Sequence, residues 1–160
     1  MTPCSVRCLS WKIKRSLDYM HYIKIIIRSI VFSLLIFVCT YLSMQTFADQ
    51  PAASCLSCSY LKDTFFLSLF SLLVIPPVLL FLTKAKITHT PFSLIVSLIF
   101  LFIAFIINWN LFYDRVSSWS SYSTKDEVIA TIAQSYPFIL TGSVLVFIIF
   151  YTGYQTDKTI

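Results

Sequence analysis

Residues 87–113, ITHTPFSLIVSLIFLFIAFIINWNLFY, run for 27 positions without an Asp, Glu, Lys or Arg. A bilayer core needs about 20 consecutive apolar residues in a helix, and this stretch exceeds that. An amphipathic helix of a soluble protein would carry a charged face at helical spacing, which is absent here. Working outward, residues 29–48, 64–83 and 128–156 are also free of the four charged types. We place the spans at about 29–48, 64–83, 91–113 and 137–156, within one transmembrane domain over 29–156. Residues 1–28 form a basic leader and 157–160 a short tail. The whole-chain figures agree: 58% of the 160 residues are hydrophobic, only 12% are charged, and the mean hydropathy is +0.81. Half the usual charge cannot clothe a soluble globule of this size. The expected fold is an all-α integral membrane four-helix bundle.

The charges assign the sides. Arg7, Lys12, Lys14, Arg15, Lys24, Arg28, Lys84, Lys86 and Lys158 stand with Asp18 and Asp157 on one side, net +7. Lys62, Arg115 and Lys125 stand with Asp49, Asp63, Asp114, Asp126 and Glu127 on the other, net −2. Basic loops stay in the cytoplasm, so both termini are predicted to be cytoplasmic. A signal leader cleaved after Ala48 is the alternative for the first stretch. The stretch is long for that role, and three further spans follow it. Residues 11–24, with Ile13, Leu17 and Met20 at helical spacing, suit a short helix on the anionic leaflet, although a topogenic leader explains the same charges. Lipid and topology thus account for the basic excess without a nucleic-acid partner.

Several chemistries are excluded early. Two glycines leave no phosphate loop, and two histidines leave no His-based metal site. No predicted span holds an ionisable residue of the kind that pumps and ion carriers use. No acid or histidine in the spans is available to activate a serine. We therefore expect no catalytic constellation, no metal and no cofactor.

Local signals remain. Pro76-Pro77 in the second span removes two backbone donors and should kink the helix, freeing the carbonyls of Leu72 and Leu73. Ser29 with Ser33, Ser68 with Ser71, and Ser93 with Ser97 are small-residue pairs suited to close helix packing. Asn108 and Asn110 should reach interfacial water or a neighbouring helix. Trp109, Tyr113, Trp119 and Tyr122 bracket the second long loop as an aromatic belt. Thr124-Lys125-Asp126-Glu127 reads as a capping box, with a helix from there to Pro137, where extended geometry or a kink is expected. Trp119, Tyr122, Arg115 and Lys125 are the candidate contacts for a partner.

Cys55 and Cys58 lie three apart in the first long loop and are a candidate disulfide. The run Cys55-Leu56-Ser57-Cys58-Ser59-Tyr60-Leu61-Lys62 resembles the first-loop motif of the DsbB family of quinone-linked disulfide-generating enzymes. Those enzymes also have four spans and cytoplasmic termini, with a Tyr and a basic residue after the pair, matched here by Tyr60 and Lys62. They relay electrons through a second cysteine pair in the second exported loop. Residues 114–127 hold no cysteine, Cys4 and Cys8 lie in the leader, and Cys39 lies inside a span. The alternatives are a disulfide that pins one loop or two idle thiols.

In length, multi-span layout and basic leader, the chain resembles small phage-encoded inner-membrane superinfection-exclusion proteins of the superinfection-exclusion protein A type. That resemblance rests on layout and transfers no site residue. It implies a prophage-encoded protein that stops genome delivery by related phages through contact with their ejection apparatus. Immunity proteins against pore-forming colicins share the four-span layout and are the alternative in the same class. The implied partners are the bilayer, incoming membrane-crossing proteins and a second copy of the chain. A structural subunit of a larger membrane complex is the third class.

Overall fold

A computed structural model describes the backbone of residues 3–85 and 87–156, and side chains over 19–20, 22–85 and 87–153. The basic and acidic side chains of the leader up to Asp18, Cys4 and Cys8, Lys86, and the tail with Asp157 and Lys158 lie outside the described residues. The described chain is helical, with no strand among the described residues. It comprises α1 (Pro3–Ser43), α2 (Tyr60–Leu69), α3 (Ser71–Lys84), α4 (His89–Arg115) and α5 (Thr124–Thr156). Four helical stretches are long and apolar enough to cross a membrane: Tyr22–Ser43, Tyr60–Lys84, His89–Trp119 and Thr124–Gly153. The protein is a multi-pass membrane protein. α2 and α3 together make the second span.

The helices outrun the charge-free stretches. α1 continues unbroken from Pro3 and ends at Ser43, five residues before the expected boundary. Lys24 and Arg28 do not stop it, because long basic side chains extend along a helix toward polar surroundings. Arg28 donates to the Gly153 carbonyl at 2.9 Å, and the His89 and Tyr151 rings meet edge to face at 5.2 Å. Those contacts gather α1, α4 and α5 at one end of the bundle, the terminal end. The 44–59 and 116–123 segments close the other, the loop end.

The three internal prolines of the spans stand inside helices, and one expectation about them is revised. α5 continues through Pro137, so Tyr136 is helical and not extended. Thr141 Oγ1 and Ser135 Oγ donate to the carbonyls of Pro137 and Thr131 on either side. Within a membrane bundle an internal proline of this kind is tolerated. In the second span the interruption falls at Phe70, whereas Pro76 and Pro77 sit inside α3. At the break, Ser33 of α1 and Ser71 donate to the Ser68 carbonyl at 3.0 and 2.7 Å. The small-residue pairs therefore seal a broken helix as well as allowing close approach.

α4 and α5 form the most intimate pair. α1 packs against α5, α4 and the α2–α3 span, while α3 and α4 barely touch. Phe32, Ile36, Ile75, Leu79, Phe92, Phe100 and Phe150 fill the core. Phe32 meets Phe100 edge to face at 5.4 Å and Phe150 at 6.4 Å. Ser97 Oγ bonds the Ser143 hydroxyl at 2.6 Å and carbonyl at 2.9 Å, joining α4 to α5. At Gly142, side chains of α1 and α4 press on α5. A methyl group there would lie 2.6 Å from Cys39 Sγ and 2.8 Å from the Phe100 ring.

Candidate functional site

The loop end is built around Arg115. As the last residue of α4 it looks like an interfacial cation, and the sequence places it among the outward contacts. Instead it is 2% exposed. Its guanidinium donates to the Gln50 carbonyl at 2.5 Å, to the Ala48 carbonyl at 3.4 Å, and to Asp63 Oδ2 at 2.5 Å. It also lies over the Tyr60 ring, 5.3 Å from the centroid. Tyr60 in turn donates to the Tyr41 carbonyl at 2.8 Å. One planar cation with several donors thus ties the exit of α1, the start of α2 and the end of α4 together, which a point-charge lysine could not do. Arg115 is therefore not free to contact a partner.

Asp114 fixes the first loop from the other side. Its carboxylate accepts from the Ser54 amide and hydroxyl, both at 2.8 Å, and its carbonyl accepts from the Ala53 amide at 2.8 Å. Trp119 Nε1 donates to the Pro51 carbonyl at 3.0 Å, so the second loop lies on the first. Glu127 is turned inward and accepts from Ser117 Oγ and from Trp109 Nε1 at 3.3 Å. The capping residue of α5 is Ser123, one position before the expected Thr124. Its hydroxyl accepts from the Asp126 amide at 3.3 Å and donates to the Asp126 carboxylate at 2.6 Å. The shift frees Glu127 from capping and allows its inward role.

The result is a cross-braced cap with an outward face. Trp119 is 57% exposed, Tyr122 is 43% exposed, and Lys125, in the first turn of α5, is exposed. Tyr122 is held edge to face on Phe112 at 5.6 Å. Rings presented from fixed backbone lose little freedom on binding, which favours their use as anchors. Asn108 departs from expectation: it is fully buried on α4, and neither its amide nitrogen nor its oxygen has a partner among the described residues. Asn110 is exposed and bonds the Ile106 carbonyl at 2.8 Å.

Cys55 and Cys58 are joined in a disulfide, with Cα atoms 5.3 Å apart, in a turn just before the Ser59 cap of α2. Cys39 is free and buried in α1. Among the described residues, no group of three or more His, Cys, Asp and Glu is placed to hold a metal ion. The disulfide closes a very short loop, so chain entropy credits it with about 2 kcal/mol at most. The loop is also held by Asp114 and Arg115. Cys55→Ser is expected to leave abundance and biological activity nearly unchanged, with an alkylation mass shift reporting loss of the bond. Loss of activity at normal abundance would move the reading to thiol redox chemistry.

Comparison with known proteins shows no matching family model, no matching curated protein and no matching solved structure.

Proposed function

We propose that the protein is a prophage-encoded superinfection-exclusion protein of the host inner membrane, with both termini cytoplasmic and the braced cap facing the periplasm. It blocks genome delivery by incoming related phages through contact with their ejection apparatus. The observation that supports this reading is the cap: a rigid surface displaying Trp119, Tyr122 and Lys125 at the end of a membrane bundle. Such a surface is suited to recognition. It is too low to mask an outer-membrane receptor, and it can meet only what crosses the periplasm.

Expression alone in a sensitive enteric host should leave phage adsorption normal and abolish arrival of phage DNA in the cytoplasm. Trp119→Ala/Tyr122→Ala should remove most of that protection at unchanged protein abundance, because buried aromatic anchors dominate small interfaces. DNA arrival followed by a later block in replication would overturn the mechanism. Protection against pore-forming colicins without any effect on phage would select the immunity alternative. Orientation has its own measurement: reporter fusions after Lys84 and Ile160 should behave as cytoplasmic, and fusions near Gln50 and Ser121 as periplasmic. A periplasmic signal at Lys84 would reject the arrangement.

A further inference from the structure

α4 and α5 are joined by side-chain hydrogen bonds at two heights. Ser97 bonds the Ser143 hydroxyl and carbonyl, and nearer the loop end Trp109 Nε1 donates to Glu127. Between those links stand two polar side chains that the pair leaves unmatched. Asn108 of α4 is 0% exposed, and both its amide nitrogen and its oxygen lack a partner among the described residues. Thr131 of α5 is also fully buried, and its hydroxyl lacks a partner among the described residues. Bare buried polar atoms are unfavourable, and native structures satisfy nearly all of them by protein or by water.

The register puts the two at one height. Asn108 stands eleven residues beyond Ser97, about three helical turns, and so on the face that meets α5. Thr131 stands twelve residues before Ser143 and about one turn after Glu127. At about 1.5 Å per residue, Asn108 lies about 17 Å and Thr131 about 18 Å from the serine link, both toward the loop end. Their neighbours one turn away along the same buried faces, Ala104 and Ser135, are small and fully buried. The Ser135 hydroxyl is spent on the Thr131 carbonyl. Three atoms remain: an amide nitrogen that donates, an amide oxygen that accepts and a hydroxyl that does either. A direct bond between the two side chains would satisfy one atom of the amide and leave the other bare.

We propose that this position binds one structural water, held between α4 and α5 by Asn108 and Thr131. The water accepts from Asn108 Nδ2 and from the Thr131 hydroxyl, and it donates to Asn108 Oδ1. A buried water typically makes about three hydrogen bonds, and these three satisfy every bare atom of the pair at once. The small side chains of Ala104 and Ser135 suit a guest of that size. The bound water is a third link between the two helices, about one turn from the Trp109–Glu127 contact, and it holds the register of the pair beneath the cap. The site does not depend on whether the protein excludes phage.

The sequence makes the test direct. Asn108 and Asn110 are the only two asparagines of the chain, so labelling with heavy-nitrogen asparagine gives two side-chain amide signals, with exposed Asn110 as the internal control. In nuclear magnetic resonance of the full chain in detergent, the Asn108 amide should show a cross-relaxation peak to water. Its own protons should exchange at least about tenfold more slowly than those of Asn110, because the site is closed to bulk solvent. Thr131→Val should remove most of the water peak by deleting one of the three bonds. Asn108→Leu should lower the thermal midpoint by expelling the water and leaving the Thr131 hydroxyl bare, and Asn108→Leu/Thr131→Val should melt above Asn108→Leu. A peak from Asn108 to the Thr131 protons with none to water would assign a direct bond and reject the water. Equal exchange at Asn108 and Asn110 would mean that bulk solvent reaches both, and would reject it as well. So would a higher midpoint for Asn108→Leu, which is the mark of an amide in a dry contact.

Discussion

Arg115→Met should strongly lower the thermal midpoint of the detergent-solubilised protein and its abundance in the membrane. The guanidinium is 2% exposed and Asp63 is 21% exposed, so the pair is largely out of water. Removing one partner of such a pair costs about 3–5 kcal/mol, because the other charge is left desolvated and unpaired. Here the loss spreads further. The carbonyls of Gln50 and Ala48 lose their donor, and the Tyr60 ring loses its cation. Asp63→Asn should be milder, since Arg115 keeps its carbonyl partners and can still donate to an amide oxygen. Arg115→Met/Asp63→Asn should recover part of the single-mutant loss, because neither member of the pair then leaves an unpaired charge behind. Near-native melting of Arg115→Met would show that the cap does not depend on this cation. Full additivity of the two substitutions would show that they are not coupled.

The four spans were legible because the relevant signal is an absence, and an absence of charge over 20 residues survives any detail of packing. The helix ends were less legible for the same reason. A charge-free stretch records where charges stop, whereas a helix stops where its backbone bonds do. The start of α5 was legible only from the capping pattern at 124–127, inside a charged stretch, and α1 runs through Lys24 and Arg28. Trp119 and Tyr122 were legible as surface rings from their place in a loop next to a span. Arg115 was not: as a loop charge it enters the topology tally on equal terms with Lys62 and Lys125. What sets it apart is a partner 52 positions away, across a space made only when α2 and α4 come together. Asp63 at the first turn of one span and Arg115 at the last turn of the next are opposite charges at the same end. That coincidence was the available signal. The break at Phe70 was likewise hidden, because Ser33, which satisfies the Ser68 carbonyl, belongs to another helix.

The second large effect is expected at Gly142→Leu, which should separate the α4–α5 pair from α1 and leave little folded protein. The reason is visible with a smaller side chain. In Gly142→Ala the added methyl group would stand 2.6 Å from Cys39 Sγ and 2.8 Å from two atoms of the Phe100 ring. Phe100 has no room to retreat. Phe100 is fully buried with Phe32 against its edge, and Phe32 is itself braced by Phe150. Overpacking of this kind costs about 1–3 kcal/mol. The gain in helix propensity from Gly to Ala offsets up to about 1 kcal/mol of that. Gly142→Ala should accordingly melt modestly lower, and Gly142→Leu far lower, since its branched end must enter the same occupied space. Cys39→Ala removes the nearer obstacle, so Cys39→Ala/Gly142→Ala should melt above Gly142→Ala, while the contact with Phe100 keeps it below the unaltered chain. If Gly142→Leu melted with the unaltered protein, the three helices would not meet at this point. That result would reject the packing of α1 against α4 and α5 while leaving the four spans in place.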